Sequence, residues 1–319
     1  MSHRPITYLT VLALYMASCA PPKDETTRVE PDLSAPSMVL VVKEVKGQIL
    51  KNRLNQPVGL AVDFRGDIIV TDAGNDRLLK FDTDLTPKLE TGGYGGQLGL
   101  LNRPTYLAFD NELNLMVADE GNRRLSRFNS SLNFVDEILF SDDEDPFKFG
   151  YPSGIAFTEY GEIWVADREK FQIAVFNNVG TFDRILGDDS YAGGRLSSPE
   201  KIVRDRQGNF IVCDAGNSRL VYFDSYGNLI RESNQSQWVY PVSVADDNRF
   251  MWVLDKSEGV LYCVNRREEI VFETGPNIPG TDTPLRQPSD IIFLLNGELL
   301  IADTGNNRLL LCRIAYEDE

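Results

Sequence analysis

The 319-residue chain has one histidine, His3, and four cysteines, Cys19, Cys213, Cys263 and Cys312. His3 lies in a segment that reads as a removable leader, so the mature chain is expected to contain no imidazole. Without one, Ser-His-Asp and Cys-His nucleophile activation and histidine-ligated zinc are excluded. The cysteines show no zinc spacing. The three beyond Cys19 sit in separate apolar runs, where a thiol serves as a small hydrophobe. Positive charge is also scarce, with 32 Lys+Arg against 48 Asp+Glu and a formal charge of −16. Nucleic-acid binding through the backbone wants the opposite sign. The apolar stretch Ile6 to Met16 is too short to span a bilayer stably.

What the chain does have is a six-fold internal repeat. Prolines recur at 57, 104, 152, 199, 241 and 288, at intervals of 47, 48, 47, 42 and 47 residues. Three positions before each stands a large apolar residue: Leu54, Leu101, Phe149, Leu196, Trp238 and Leu285. Fifteen positions after stands an aspartate (Asp72, Asp119, Asp167, Asp214, Asp303), with the interval shortened to fourteen at Asp255. A period of roughly 40 to 50 residues suits one four-stranded propeller blade per unit. Helical arrays share that period, but these units are short β-rich runs broken by Gly, Asn and Asp, without apolar residues every three to four positions. In the first unit, strand A is expected at Val58 to Val62, strand B at Ile68 to Thr71, strand C at Arg77 to Phe81 and strand D at Lys88 to Glu90. Strand B is apolar throughout in every unit, as in Ile163-Trp164-Val165, which marks a strand covered on both faces. The sixth unit ends after strand C, while residues 39–47 form a strand-like run with no unit of their own. They are expected to pair with 307–313 and close an all-β, six-bladed ring with no exposed edge.

Four units carry the segment Asp72-Ala73-Gly74-Asn75-Asp76-Arg77 or its counterparts ending at Arg124, Arg219 and Arg308. With the upstream proline and strand B, these segments resemble NHL repeats over residues 39–313. The third unit substitutes Gln172 for the arginine and lacks Gly-Asn, and the fifth has Gly259 there. The pairs Asp72/Arg77, Asp119/Arg124, Asp214/Arg219 and Asp303/Arg308 read as turn-building rather than catalytic. The aspartate would accept turn N–H groups, Gly and Asn would supply positive φ, and the arginine would open strand C opposite the aspartate. Cys263 and Cys312 take the repeat position held by Phe81, Phe128, Phe176 and Phe223.

Residues 1–18 read as a signal peptide, with Arg4, the apolar stretch and then small residues. Met16-Ala17-Ser18-Cys19 resembles the lipobox of bacterial lipoproteins, which implies lipidation at Cys19 and an extracytoplasmic location at the outer membrane or cell surface. Lys23-Asp24-Glu25 is similar to the export signal of Bacteroidota surface lipoproteins. Residues 19–37, with Pro21, Pro22, Pro31 and Pro36, read as a disordered tether, and 38–319 as the propeller. Loss of Arg4 with the leader takes the charge from −16 to −17.

These readings point to a lipid-anchored, monomeric propeller that binds a protein, peptide or glycan of the envelope. A purely structural envelope component is a further possibility. The post-proline positions differ from unit to unit and place Tyr106, Glu200, Lys201 and Asp290 around the channel mouth as candidate binding residues. Long connections between blades add Tyr94 and Tyr191. The acidic runs 142–145 and 188–189 read as solvated loops. The alternative is a Ca²⁺-dependent lactonase- or esterase-like hydrolase, since Ca²⁺ needs only oxygen ligands and no histidine. The NHL resemblance implies that amidating-lyase relatives use a histidine-based metal site, which this chain would lack.

Overall fold

The computed structural model describes residues 34–139, 150–188, 195–233 and 235–316. Six four-stranded antiparallel sheets follow one another around a ring. Strands A of successive blades (Pro57–Val62, Pro104–Phe109, Pro152–Phe157, Pro199–Arg204, Pro241–Asp246 and Asp290–Phe293) each contact the next, and the last contacts the first. Strand B of the first blade is Ile68–Asp72, strand C Arg77–Phe81 and strand D Pro87–Gly92, each close to its expected limits.

Apolar wedges between blades explain why strand B has no polar face. Ile68 and Val70 of the first blade pack with Leu300 and Leu309 of the sixth, whereas Ile69 between them packs with Leu107 and Val117 of the second. Between the third and fourth blades, Trp164 stacks on Phe210 with centroids 4.2 Å apart. Stacking of this kind contributes about 0.5–1.5 kcal/mol beyond the area buried. Cys213, Cys263 and Cys312 are all buried and unpaired in these layers, and burial pushes the Cys312 thiol up to about 12.

The ring is closed by a strand from the N-terminal side. Pro36–Lys46 pairs antiparallel with Arg308–Tyr316, the sixth strand C, with Val45 opposite Leu309 and Pro36 opposite Tyr316. The closing strand reproduces even the side-chain pattern of an ordinary strand D. Arg124 and Arg219 reach Glu137 and Glu232 of their own strands D at 2.6 and 2.8 Å, and Arg77 likewise holds Glu90. In the sixth blade Arg308 finds Glu44 of the closing strand at 3.0 Å. The preceding loop clamps the same strand, since Val41 N–H donates to Pro279 O at 2.8 Å.

The fifth blade departs by one residue from the sequence-based alignment. Asp255 lies opposite Val260, so Val260, not Gly259, holds the arginine position, and Val264, not Cys263, holds the phenylalanine position. The cause is its shortened A–B turn.

Closure makes the two ends of the chain interdependent. Deleting residues 34–46 should abolish the single cooperative thermal transition seen by circular dichroism. The milder Val39→Asp, at a site 1% exposed, should cost about 2–5 kcal/mol.

Candidate functional site

The aspartate that ends strand B organises the face of the ring on which strands A begin. Asp72 is fully buried; its Oδ1 accepts the N–H of Asn55 at 2.7 Å, and its Oδ2 accepts Asn75 Nδ2 and Arg77 Nε, each at 2.7 Å. Asp119, Asp214 and Asp303 repeat this set with Asn102, Ser197 and Arg286 as the backbone donors, at 2.7, 2.6 and 2.8 Å. The aspartate therefore ties strand B to the loop that precedes its own strand A, seventeen residues earlier. Its partners in these four blades differ from the expected turn amides because the asparagine and arginine side chains occupy one oxygen and the incoming loop the other.

Where those side chains are missing, backbone replaces them. Asp167 accepts N–H bonds from Gly150, Tyr151, Glu169 and Lys170 at 2.7–3.2 Å, and Asp255 accepts from Val239, Tyr240, Ser257 and Glu258 at 2.7–3.2 Å. Burial raises the carboxyls of Asp72, Asp119, Asp167 and Asp214 above the usual range, opposed in each by these donors.

The motif glycine also has a different task from the expected one. Positive φ falls on the residue after the asparagine, at Asp76, Arg123, Ser218 and Asn307 (52–56°), not on the glycine. The glycine lets the same incoming loop approach: a Cβ on Gly305 would lie 2.4 Å from Arg286 O, and Gly305 N–H donates to that oxygen at 2.8 Å. The positive-φ residues link neighbouring blades, with Asp76 Oδ1 and Asn307 Oδ1 accepting the N–H groups of Arg103 and Gln56, both at 2.7 Å.

Because every blade enters with the same register, equivalent positions form rings around the axis. The position two after the proline carries Gly59, Tyr106, Gly154, Lys201, Ser243 and Asp290. Tyr106 crosses the channel and donates its hydroxyl to Ser289 O at 3.0 Å, while Lys201 Nζ pairs with Asp290 Oδ1 at 2.6 Å and Ser243 Oγ bonds the same oxygen at 2.7 Å. These groups plug the channel. Above the plug opens a cavity of about 380 Å³, walled by residues beside four of the six prolines and those just after five of the six strand-B aspartates.

Tyr106 and Glu200 line this cup, whereas Lys201 and Asp290 are spent on each other below it. Tyr94 stands on the same face, 77% exposed, outside the wall. Tyr191, Cys19 and the acidic run 142–145 lie outside the described residues. Sequence reasoning missed Glu120, Arg168 and Lys256, which take the position after the strand-B aspartate where the first and fourth blades have alanine. That variability beside an invariant aspartate was the available signal. Arg168 bridges Glu120 at 2.9 Å and Glu200 at 3.4 Å. Burial would lower its guanidinium, but the two glutamates hold it above its ordinary value. Burial, with Glu200 and Asp290 nearby, pushes the Tyr106 phenol well above its usual value, so it stays a neutral donor. Four cations (Arg103, Arg168, Lys256, Arg286) face two carboxylates (Glu120, Glu200) in the cup, an electropositive island on a chain of charge −16.

The ring of six antiparallel blades around a plugged channel defines a six-bladed β-propeller. The NHL repeat profile matches residues 54–81 and 149–176, so the chain carries NHL repeats. One match falls on the third blade, which has neither Gly-Asn nor the arginine that opens strand C, so the proline, strand B and aspartate carry the likeness there. The protein brain tumor of Drosophila melanogaster is 25% identical over 221 residues, 69% of this chain, and the match spans 16% of that protein's length. Among solved structures, a streptogramin B lyase shares the fold at TM-score 0.62 with 14% identity, covering 85% of this chain and 97% of that one. A catalytically inactive His-to-Ala variant of virginiamycin B lyase from Staphylococcus aureus, solved with quinupristin, does so at TM-score 0.61 with 15% identity, covering 86% and 88%.

Contact, rather than φ, is what the motif glycine serves. Gly305→Ala should therefore lower stability by about 1–3 kcal/mol in urea unfolding, through overlap with backbone. Gly275→Ala, outside the positive-φ region and with no atom within 4 Å of the new Cβ, should change stability by no more than about 1 kcal/mol.

Proposed function

We propose that this NHL propeller is a lipid-anchored, extracytoplasmic binding and scaffolding module that engages an envelope protein, peptide or glycan through the face bearing the cup. The cup carries the reading. It is closed below by Tyr106, open above, lined by both signs of charge, and of a size, about 380 Å³, that accepts a small ligand or the tip of a larger one. Its members vary from blade to blade while the aspartates around them do not, as expected when a repeated frame carries an unrepeated site.

The hydrolase alternative draws on the lyase folds, but at 14–15% identity these speak for architecture alone. The residues present do not fit an oxygen-ligated Ca²⁺. Glu120 and Glu200 share Arg168, and Asp290 is held by Lys201, so each channel carboxylate already faces a cation. Among the described residues no three His, Cys, Asp or Glu side chains cluster as a metal site. A reaction relying on histidine, as in the S. aureus lyase whose His-to-Ala variant is inactive, has only His3 to draw on.

Two experiments test the module. On peptide and glycan arrays, Arg103→Glu with Arg195→Glu on the cup face should reduce binding at least tenfold. Arg65→Glu with Arg204→Glu on the opposite face should leave it unchanged, and the reverse pattern would reject the assignment. In the producing cell, Cys19→Ser should move the chain from the membrane to the soluble fraction and abolish palmitate labelling; an unchanged membrane fraction would remove the anchor.

A further inference from the structure

The face opposite the cup carries apolar residues that the ring itself does not need. Strands A start at the cup, so antiparallel pairing puts the A–B and C–D turns on the far face. In five of these turns Gly66, Gly161, Gly180, Gly227 and Gly297 donate their N–H to the carbonyl three residues earlier, at 2.9–3.1 Å. The two central positions of such a turn suit Pro, Asp, Asn, Ser or Gly. Here one of them is instead Phe64, Tyr160, Val179, Tyr226 or Leu295, each 58–78% exposed. Neither the turn nor the core accounts for these side chains, and exposed apolar tips mark a contact surface.

The five tips gather in two places. A Cβ on Gly66 would lie 3.5 Å from Leu295 Cδ1, which sets the Phe64 turn of the first blade against Leu295 of the sixth. A Cβ on Gly161 would lie 3.2 Å from Asn178 Cβ, and Arg184 reaches both Glu162 Oε1 at 3.1 Å and Tyr226 O at 3.4 Å. The third and fourth blades thereby collect the turns of Tyr160, Val179 and Tyr226. In a ring of six, the seam between blades three and four lies across the axis from that between six and one. Two apolar feet therefore stand on opposite sides of this face. The second and fifth blades between them present the polar tips Asn111-Glu112 and Asn248-Arg249.

The chain also enters the ring on this face. Pro36 opens the closing strand opposite Tyr316, at the far end of strand C, and Ser34 Oγ lies 3.5 Å from Arg249 Nη2 of the fifth A–B turn. Fourteen residues lie between Cys19 and Ser34, a span of at most about 50 Å.

We propose that this face rests on a phospholipid bilayer, its two apolar feet inserted at the boundary of headgroups and acyl chains and the cup turned away from the membrane. This rests on the lipid-anchor reading above and adds an orientation to it. A fluid surface takes separate apolar tips on opposite sides of a ring, whereas a protein partner needs a continuous packed patch. Tyrosine suits that boundary, with its ring among acyl chains and its hydroxyl in water. A chain of charge −16 gains no net attraction from anionic headgroups, so the docking is apolar and insensitive to salt.

The test is tryptophan fluorescence of the full, lipidated chain in phosphatidylcholine vesicles, with and without brominated acyl chains that quench only nearby rings. The native Trp164, Trp238 and Trp252 are buried and supply a constant background. Tyr226→Trp should lose at least half of its added emission, equally at low and high salt, and Tyr94→Trp on the cup face should lose none. Adding Phe64→Asp and Tyr160→Asp should reduce the quenching at Tyr226→Trp at least threefold. Equal quenching at the two sites, or quenching at Tyr94→Trp alone, would overturn the proposal. So would a vesicle-bound chain quenched at neither site, which leaves Cys19 as a tether and nothing more. If Cys19 proves unlipidated, the anchor reading falls and the unlipidated chain added to the same vesicles decides the face by itself. Quenching at Tyr226→Trp then keeps it as a lipid-binding surface, and no quenching removes it.

Discussion

The structure depends on a buried carboxylate at the end of each strand B. In a propeller the chain must leave strand D, cross to the next blade and start a strand A in correct register, with no covalent tie to enforce it. Each aspartate holds the N–H of the loop just before its own strand A, and at the same time the opening of strand C in four blades or the amides of the turn leading to it in the third and fifth. One residue thus fixes where the innermost and third strands begin. Bonds of this kind, with one partner charged, contribute about 1.5–3 kcal/mol each, and removing the acceptor strands several donors together.

Repeating that constraint six times has a functional consequence. The asparagine and arginine that bond the aspartate recur in four blades, whereas the residues immediately beside it and beside the proline are held in defined places without being needed for the tie. These neighbours form the cup. Its mixture of Glu120, Arg168, Glu200 and Lys256 is what an asymmetric ligand needs from a symmetric frame. The channel below is sealed by Tyr106 and by the Lys201–Asp290 pair, so the frame stays rigid under the site.

Much of this was legible from periodicity. The six prolines gave the blades, the apolar strand B gave the double-sided burial, and the missing sixth strand D gave the closure, since Glu44 sits where Glu90, Glu137 and Glu232 sit. Three things were hidden. The aspartate's partner lies seventeen residues back across a loop, which no local turn rule reveals. The glycine's role is a contact with that same loop, invisible to arguments about φ. The cup is built by residues next to the motif, and attention to the post-proline ring alone found Tyr106 and Glu200 but not Glu120, Arg168 or Lys256. Lys201 and Asp290 belong to that ring too, yet the axis brings them within 2.6 Å of each other, a distance that depends on the six-fold geometry and not on spacing along the chain.

The measurement that bears most directly on the central claim is equilibrium unfolding of Asp214→Ala beside Arg219→Ala. If the carboxylate is the tie, Asp214→Ala loses the acceptor of Ser197 N–H, Asn217 Nδ2 and Arg219 Nε together and should cost about 3–5 kcal/mol. Arg219→Ala leaves two of those bonds in place, much as Asp167 and Asp255 persist without an arginine, and should cost distinctly less. Equal losses, or a greater loss from the arginine, would mean that the ion pair and not the aspartate's hold on the incoming loop sets the register of the ring.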